Sequence, residues 1–145
     1  QERLLVTMRI LYVTILAAVS VYLFVSLRSL GSTPTPPKMA TPAEFVKQTI
    51  SETRVVVFSK TFCPYCKKAK AALASVGLKG DALKVIELDT REDGNAIQDA
   101  LLELTGGRSV PRVFIDGDFF GGGDDTDAAA KSGKLAELLR SKGIL

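Results

Sequence analysis

Histidine is missing from the 145 residues and cysteine occurs only twice. Without histidine there can be no Ser-His-Asp triad, no Cys-His protease pair and no imidazole-ligated metal. Two cysteines cannot build a disulfide-dense secreted scaffold. Single-sign charge is scarce as well. Residues 41–145 hold fifteen basic and fifteen acidic side chains, so they lack the positive field of a nucleic-acid binder and no nucleic acid is expected as a partner. There is no internal repeat and no low-complexity tract. A mass of 15.5 kDa leaves room for one ordinary domain and little more.

The net charge of +3 sits in the first forty residues, where Arg3, Arg9, Arg28 and Lys38 face only Glu2. Between Arg9 and Arg28 runs an uncharged stretch, Ile10 to Leu27, of 18 residues. At 1.5 Å per residue it spans roughly 27 Å, close to the hydrocarbon thickness of a bilayer. It exceeds the usual length of a signal h-region, so a single-pass anchor within residues 1–30 is expected, with a cleaved signal or organelle-targeting peptide as the alternative. The slight excess of positive charge before the run favours a domain on the lumenal side. Residues 31–40, with three prolines, read as an extended linker, and residues 41–145 as the folded domain.

In that domain Thr41-Pro42-Ala43-Glu44 is a helix start, with a Thr cap, Pro in the first turn and Glu three residues on. Phe45, Val46 and Ile50 supply its apolar face. Arg54 to Ser59 is a buried strand by its β-branched run. Pro64 to about Val76 is helical, with Gly77 as its stop, and Lys84 to Leu88 is a second strand. A helix over about Asn95–Thr105 ends at Gly106-Gly107. Strands at Arg112–Ile115 and Asp118–Phe120 flank Asp116-Gly117, a strong hairpin signal. One or two helices follow from Asp124, broken near Gly133. The order α, β, α, β, α, β, β, α, α predicts parallel pairing of the first two strands and an antiparallel final hairpin. In such an α/β sheet the ligand crevice lies at the carboxyl end of the first strand. Cys63 and Cys66 lie there.

Cys63 falls at a predicted helix N-cap, where free N–H groups and the helix dipole favour an anion. Lys60, Lys67 and Lys68 add positive charge. This environment favours the thiolate, the nucleophile of disulfide exchange. Such a thiolate gains little as an attacking group, because nucleophilicity falls with basicity, and gains chiefly as a leaving group. Cys66 comes one turn later, close enough to attack a disulfide formed on Cys63. A zinc site would need further ligands from a second copy, and a structural disulfide across two residues would stabilise little. No metal site is expected. Lys67, Lys68 and Lys70 read chiefly as a solvated face.

Cys63-Pro64-Tyr65-Cys66 resembles the active site of dithiol glutaredoxins, within the thioredoxin-like fold. Ser109-Val110-Pro111 is similar to the family's Thr-Val-Pro, and Gly121-Gly122-Gly123-Asp124-Asp125 to its Gly-Gly-x-[Ser/Asp]-Asp segment. Lys131 to Leu135 resembles the closing segment. The resemblance covers residues 41–145, and Gly107, where many members carry Gln, is a departure. It implies a four-stranded mixed sheet of order 2-1-3-4 flanked by helices, and glutathione as cofactor. Cys63 would be the nucleophile and Cys66 the resolving thiol. Lys60 and Arg108, with Tyr65 beside them, would hold the glycine carboxylate. Val110 would pair its backbone with the ligand's cysteine, Pro111 would be cis, and Gly123, Asp124 and Asp125 would receive the γ-glutamyl end.

The charges agree with part of this. Glutathione carries two carboxylates and one ammonium, so a site needs cationic donors and an acidic or helix-terminal pole. Lys60 and Arg108 supply the first, Asp124 and Asp125 the second, although helix capping also accounts for the two acids. The expected activity is reduction of glutathionylated proteins and other disulfides by a monomer using glutathione. The alternatives are a dimer holding an iron–sulfur cluster through Cys63 and glutathione, and an interaction domain with an incidental Cys-x-x-Cys.

Overall fold

The computed structural model describes residues 41–145. The expected membrane span at residues 10–27 and the linker at 31–40 lie outside the described residues. Among the described residues no helix is long and apolar enough to cross a membrane.

Helix α1 covers Pro42–Glu52, strand β1 Val55–Ser59, helix α2 Pro64–Ser75 and strand β2 Leu83–Glu87. Helix α3 covers Gly94–Thr105, strands β3 and β4 Arg112–Ile115 and Asp118–Gly121, and helices α4 and α5 Gly123–Lys131 and Lys134–Ser141. The expected capping box closes α1: Glu44 N–H donates to Thr41 Oγ1 at 3.2 Å and Thr41 N–H to Glu44 Oε2 at 2.8 Å. Two short 3₁₀ turns, Gly80–Ala82 and Leu88–Thr90, escape a reading by periodicity because three residues carry none. The second turn takes Leu88 out of β2 and buries it in the core.

The sheet has four strands in the order β2-β1-β3-β4. β1 runs parallel to β2, with Val57 beside Val85, and antiparallel to β3, with Val57 beside Val113. β3 and β4 form the expected hairpin. Asp116 and Gly117 both take positive φ, 56° and 88°, which the tight two-residue turn demands and Asp and Gly tolerate.

Every residue of β1 is buried, because this central strand is covered on both faces. Val55 and Val57 face Ala69 and Leu73 of α2 and Leu135 and Leu139 of α5. Val56 and Phe58 face Val46 of α1, Ile97 and Leu101 of α3, and Phe114. Phe58 and Phe114 meet edge to face at 5.8 Å. Each such fully buried side chain contributes about 1.5–3 kcal/mol. On α1 the buried positions are Val46 and Thr49, while Phe45 and Ile50 lie partly buried at the edge of the core. The two-sided core fixes the carboxyl end of β1, and the segment that follows it carries both cysteines.

Candidate active site

Between β1 and α2 the chain turns sharply, and Cys63 N–H donates to Lys60 O at 3.1 Å. Asp89, in the turn after β2, clamps this loop: its carboxylate accepts from Thr61 N–H at 3.0 Å and from the Thr61 hydroxyl. The hydroxyl holds the Asp89 carboxyl below the usual carboxylate range. Cys63 is the N-cap of α2, as the sequence predicts, and Pro64 opens the helix at no cost in hydrogen bonds.

The two sulfurs sit in different surroundings. Cys63 is half-buried, and its Sγ accepts from Cys66 N–H at 3.4 Å and lies 3.7 Å from Val110 O. Cys66 is fully buried, and Lys60 N–H donates to its Sγ at 3.4 Å. Burial is the main reason its pKa is pushed up to about 11. One thiol is therefore open to a substrate and the other is held protonated behind it. The two together can form a disulfide, exchange it or lose it.

Two segments frame the cysteines. The Val110–Pro111 peptide is cis, as the resemblance implies. Gln98 of α3 supports this loop by donating from Nε2 to Arg108 O at 2.8 Å. On another side the first turn of α4 abuts that of α2, and a Cβ on Gly123 would stand 2.6 Å from Tyr65 O. Asp125 accepts from Gly122 N–H at 2.8 Å and so caps α4.

The glutaredoxin family profile matches residues 55–120. Glutaredoxin-C8 of Oryza sativa subsp. japonica is 49% identical over 115 residues, covering 79% of this chain and 82% of that protein. The chain belongs to the glutaredoxin family. The crystal structure of oxidized glutaredoxin 2 from Chlamydomonas reinhardtii is 52% identical, with a TM-score of 0.67 over 72% of this chain and 95% of that one. The buckwheat glutaredoxin–glutathione complex is 38% identical, with a TM-score of 0.66 over 77% of this chain and 99% of that one. This glutaredoxin is accordingly a thiol–disulfide oxidoreductase of the thioredoxin-like fold.

The glutaredoxin structure brings Cys63, Cys66, Lys60 and Val110 together directly, through the contacts above. Tyr65 is half exposed on the first turn of α2, beside Gly123. Arg108 Nε donates to Asp99 Oδ1 at 2.6 Å, so its guanidinium is already held by an acid. Asp124 is paired with Lys68 at 2.8 Å, and the Lys68 ammonium lies 5.4 Å from the Tyr65 ring centre. Lys68 thus belongs to the rim of the site, where the sequence alone reads it as a solvated face. Gly123 serves close packing against Tyr65, and Asp125 serves as a cap.

Sequence reasoning missed the clamps. Asp89, Gln98 and Asp99 carry no local motif, and their partners lie 28, 10 and 9 positions away. It also missed Arg112. The Arg112 guanidinium fills the space a residue-107 side chain would take, with Nη2 at 1.5 Å from a Cβ placed on Gly107. Arg112 Nε donates to Gly107 O at 3.1 Å, and the guanidinium lies over the Phe119 ring at 5.1 Å. The departure at Gly107 is thus matched by a cation from β3.

Proposed function

We propose that this glutaredoxin reduces glutathione mixed disulfides and protein disulfides through Cys63, with glutathione as the reductant. The observation that carries the reading is the half-exposed Cys63 sulfur at a helix start, in front of a buried Cys66. Likeness to a glutaredoxin solved with glutathione supports the choice of reductant.

Cys63, as thiolate, attacks the glutathione sulfur of a mixed disulfide. The original S–S bond breaks, and the protein thiolate leaves and takes a proton from solvent. Cys63 is now joined to glutathione. Attack by a second glutathione thiolate on the bound glutathione sulfur releases glutathione disulfide and returns Cys63 as a thiolate. In the dithiol route Cys63 attacks a protein disulfide and Cys66 then attacks Cys63 Sγ. The second protein thiolate leaves, and two glutathione molecules reduce the resulting Cys63–Cys66 disulfide. Burial holds the Cys66 thiol protonated in the reduced protein, with its pKa pushed up to about 11, so the dithiol route requires Cys66 to lose that proton.

Lys60 and Arg108 are assigned to the glycine carboxylate, with Tyr65 against the ligand and the Val110 backbone paired to its cysteine. Pro111 shapes that backbone, and Gly123, Asp124 and Asp125 take the γ-glutamyl end. The donor set fits, since it offers cations at one pole and acids with helix N–H groups at the other. Arg108 and Asp124 exchange or share their present partners, Asp99 and Lys68, when the ligand arrives. A single copy carries every group this route needs, so the proposed unit is a monomer.

We also place Ile10 to Leu27 across a membrane with the domain on the lumenal side. The support is the uncharged run of 18 residues between Arg9 and Arg28, long enough to span. The test of function is glutathione-coupled reduction of a small glutathione mixed disulfide by the full chain. Cys63→Ser is expected to abolish turnover and Cys66→Ser to retain most of it. Equal loss from both substitutions overturns the monothiol route.

A further inference from the structure

Ser59 ends β1 with no solvent exposure, and its hydroxyl oxygen makes no hydrogen bond among the described residues. Native interiors rarely leave a buried hydroxyl idle. Side chains alternate along a strand, so Ser59 shares the face of Val55 and Val57, which Ala69 and Leu73 of α2 cover. Cys66 lies three and seven residues before Ala69 and Leu73, on the same buried stripe of α2. The strand face and the helix stripe therefore meet at Ser59 and Cys66. The next residue along the chain, Lys60, already reaches Cys66 Sγ through its N–H.

We propose that Ser59 is a positioning residue for the dithiol route: its hydroxyl donates a hydrogen bond to the Cys66 sulfur as that sulfur ionises. The inference rests on the dithiol route set out above. Cys66 gives up its proton, which passes through solvent to the departing substrate thiolate. The Cys66–Cys63 S–S bond forms as the Cys63–substrate S–S bond breaks, so the dithiol is oxidised and the substrate disulfide reduced. Ser59 keeps its own proton throughout. Burial opposes the ionised Cys66 sulfur most strongly, the Lys60 N–H favours it, and the nearby Ser59 hydroxyl favours it to a smaller extent. Cys63 is the titratable group whose charge bears on Cys66. Lys70 of α2 and Glu87 of β2 neutralise one another in a 2.7 Å pair.

The test follows the Cys66 13Cβ NMR shift against pH in the full chain carrying Cys63→Ser, with Ser59 intact, Ser59→Ala or Ser59→Thr, because the shift reports ionisation of a buried sulfur without reagent access. Ser59→Ala is expected to lower the ionisation constant about tenfold and so move the midpoint upward, since a hydrogen bond to a charged group is lost. Ser59→Thr, which keeps the hydroxyl, is expected to stay within about twofold of the parent. An unshifted midpoint in Ser59→Ala overturns the proposal, and so does a Ser59→Thr midpoint displaced as far as that of Ser59→Ala. The titration needs neither turnover nor glutathione, so this outcome is independent of the activity assay. In the chain with Cys63 present, Ser59→Ala is also expected to lower the ratio of protein-disulfide to mixed-disulfide reduction about tenfold. An unchanged ratio overturns the proposal.

Discussion

Gly123 of α4 lies so close to Tyr65 of α2 that an added Cβ would stand 2.6 Å from the Tyr65 carbonyl oxygen and 3.0 Å from its Cβ. The obstacle is backbone on the helix that carries both cysteines, so it cannot swing aside. Gly123→Ala must therefore push the first turn of α4 away, and Asp124 and Asp125 with it. A loss of about 1–3 kcal/mol in stability is expected, the range for overpacking. If these acids hold the γ-glutamyl end, KM for glutathione rises at least about tenfold, because a shift of an ångström at a positioned group has effects of this size or more. Urea melts and steady-state kinetics measure the two effects. A stable variant with unchanged KM would remove α4 from the ligand site.

Lys68 and Asp124 test the same pole from the other side. The Lys68 ammonium sits 2.8 Å from Asp124, and this carboxylate raises the lysine's pKa. Both side chains are well exposed, so the pair adds little to stability. Its consequence is competition, since Lys68 occupies the carboxylate assigned to the ligand's ammonium. Lys68→Ala is expected to lower KM for glutathione about two- to threefold at low salt, with less effect at high salt. The thermal midpoint should stay within about 2 °C. A rise in KM would mean that Lys68 itself contacts the ligand.

Most of the fold was legible because its signals are local. The Thr41–Glu44 box, the Val55–Phe58 run and the Asp116-Gly117 turn each declare themselves within a few residues. The cysteines were legible for the same reason, as a pair between a strand and a helix. What holds them was not legible. Asp89 reaches Thr61 across 28 positions and Lys68 reaches Asp124 across 56, and such pairs exist only once β2 is laid beside β1 and α4 beside α2. Ser59 reads in sequence as one more strand residue. Only the packing of one face of β1 on the buried stripe of α2 brings it near Cys66.

Cys66 makes the fold sensitive to alkali. Burial pushes its pKa from 9.0 up to about 11, so between those values the unfolded chain has lost a proton that the folded chain keeps. Stability therefore falls as pH rises across that window, by on the order of 2 kcal/mol from this group. Below pH 9 the contribution is constant. Cys66→Ala removes the term while leaving other alkaline titrations in place. Urea melts at pH 8.5 and pH 11 should show a smaller fall in the variant than in the parent. Equal falls would mean that Cys66 ionises alike in both states.

Asp116 does the reverse at low pH. Arg54 Nε lies 2.8 Å from its carboxylate and Lys142 Nζ 3.3 Å, and the two cations hold the carboxyl below its ordinary range. Arg54 also donates to Lys142 O at 2.6 Å, so the β3–β4 turn, the entry to β1 and the end of α5 meet at this cluster. A carboxyl depressed by folding stabilises the protein above its unfolded pKa, and that contribution disappears as pH falls through the folded value. Asp116→Asn removes the charge yet tolerates the positive φ of 56° at this turn position. The variant is expected to be less stable than the parent at pH 7 and to converge on it as acid protonates Asp116. High salt should narrow the gap at pH 7, since these side chains are partly exposed. Melts at pH 7 and pH 2.5, with and without salt, decide it. A gap of constant size at both pH values would assign the loss to the turn's local hydrogen bonding instead of to the charge.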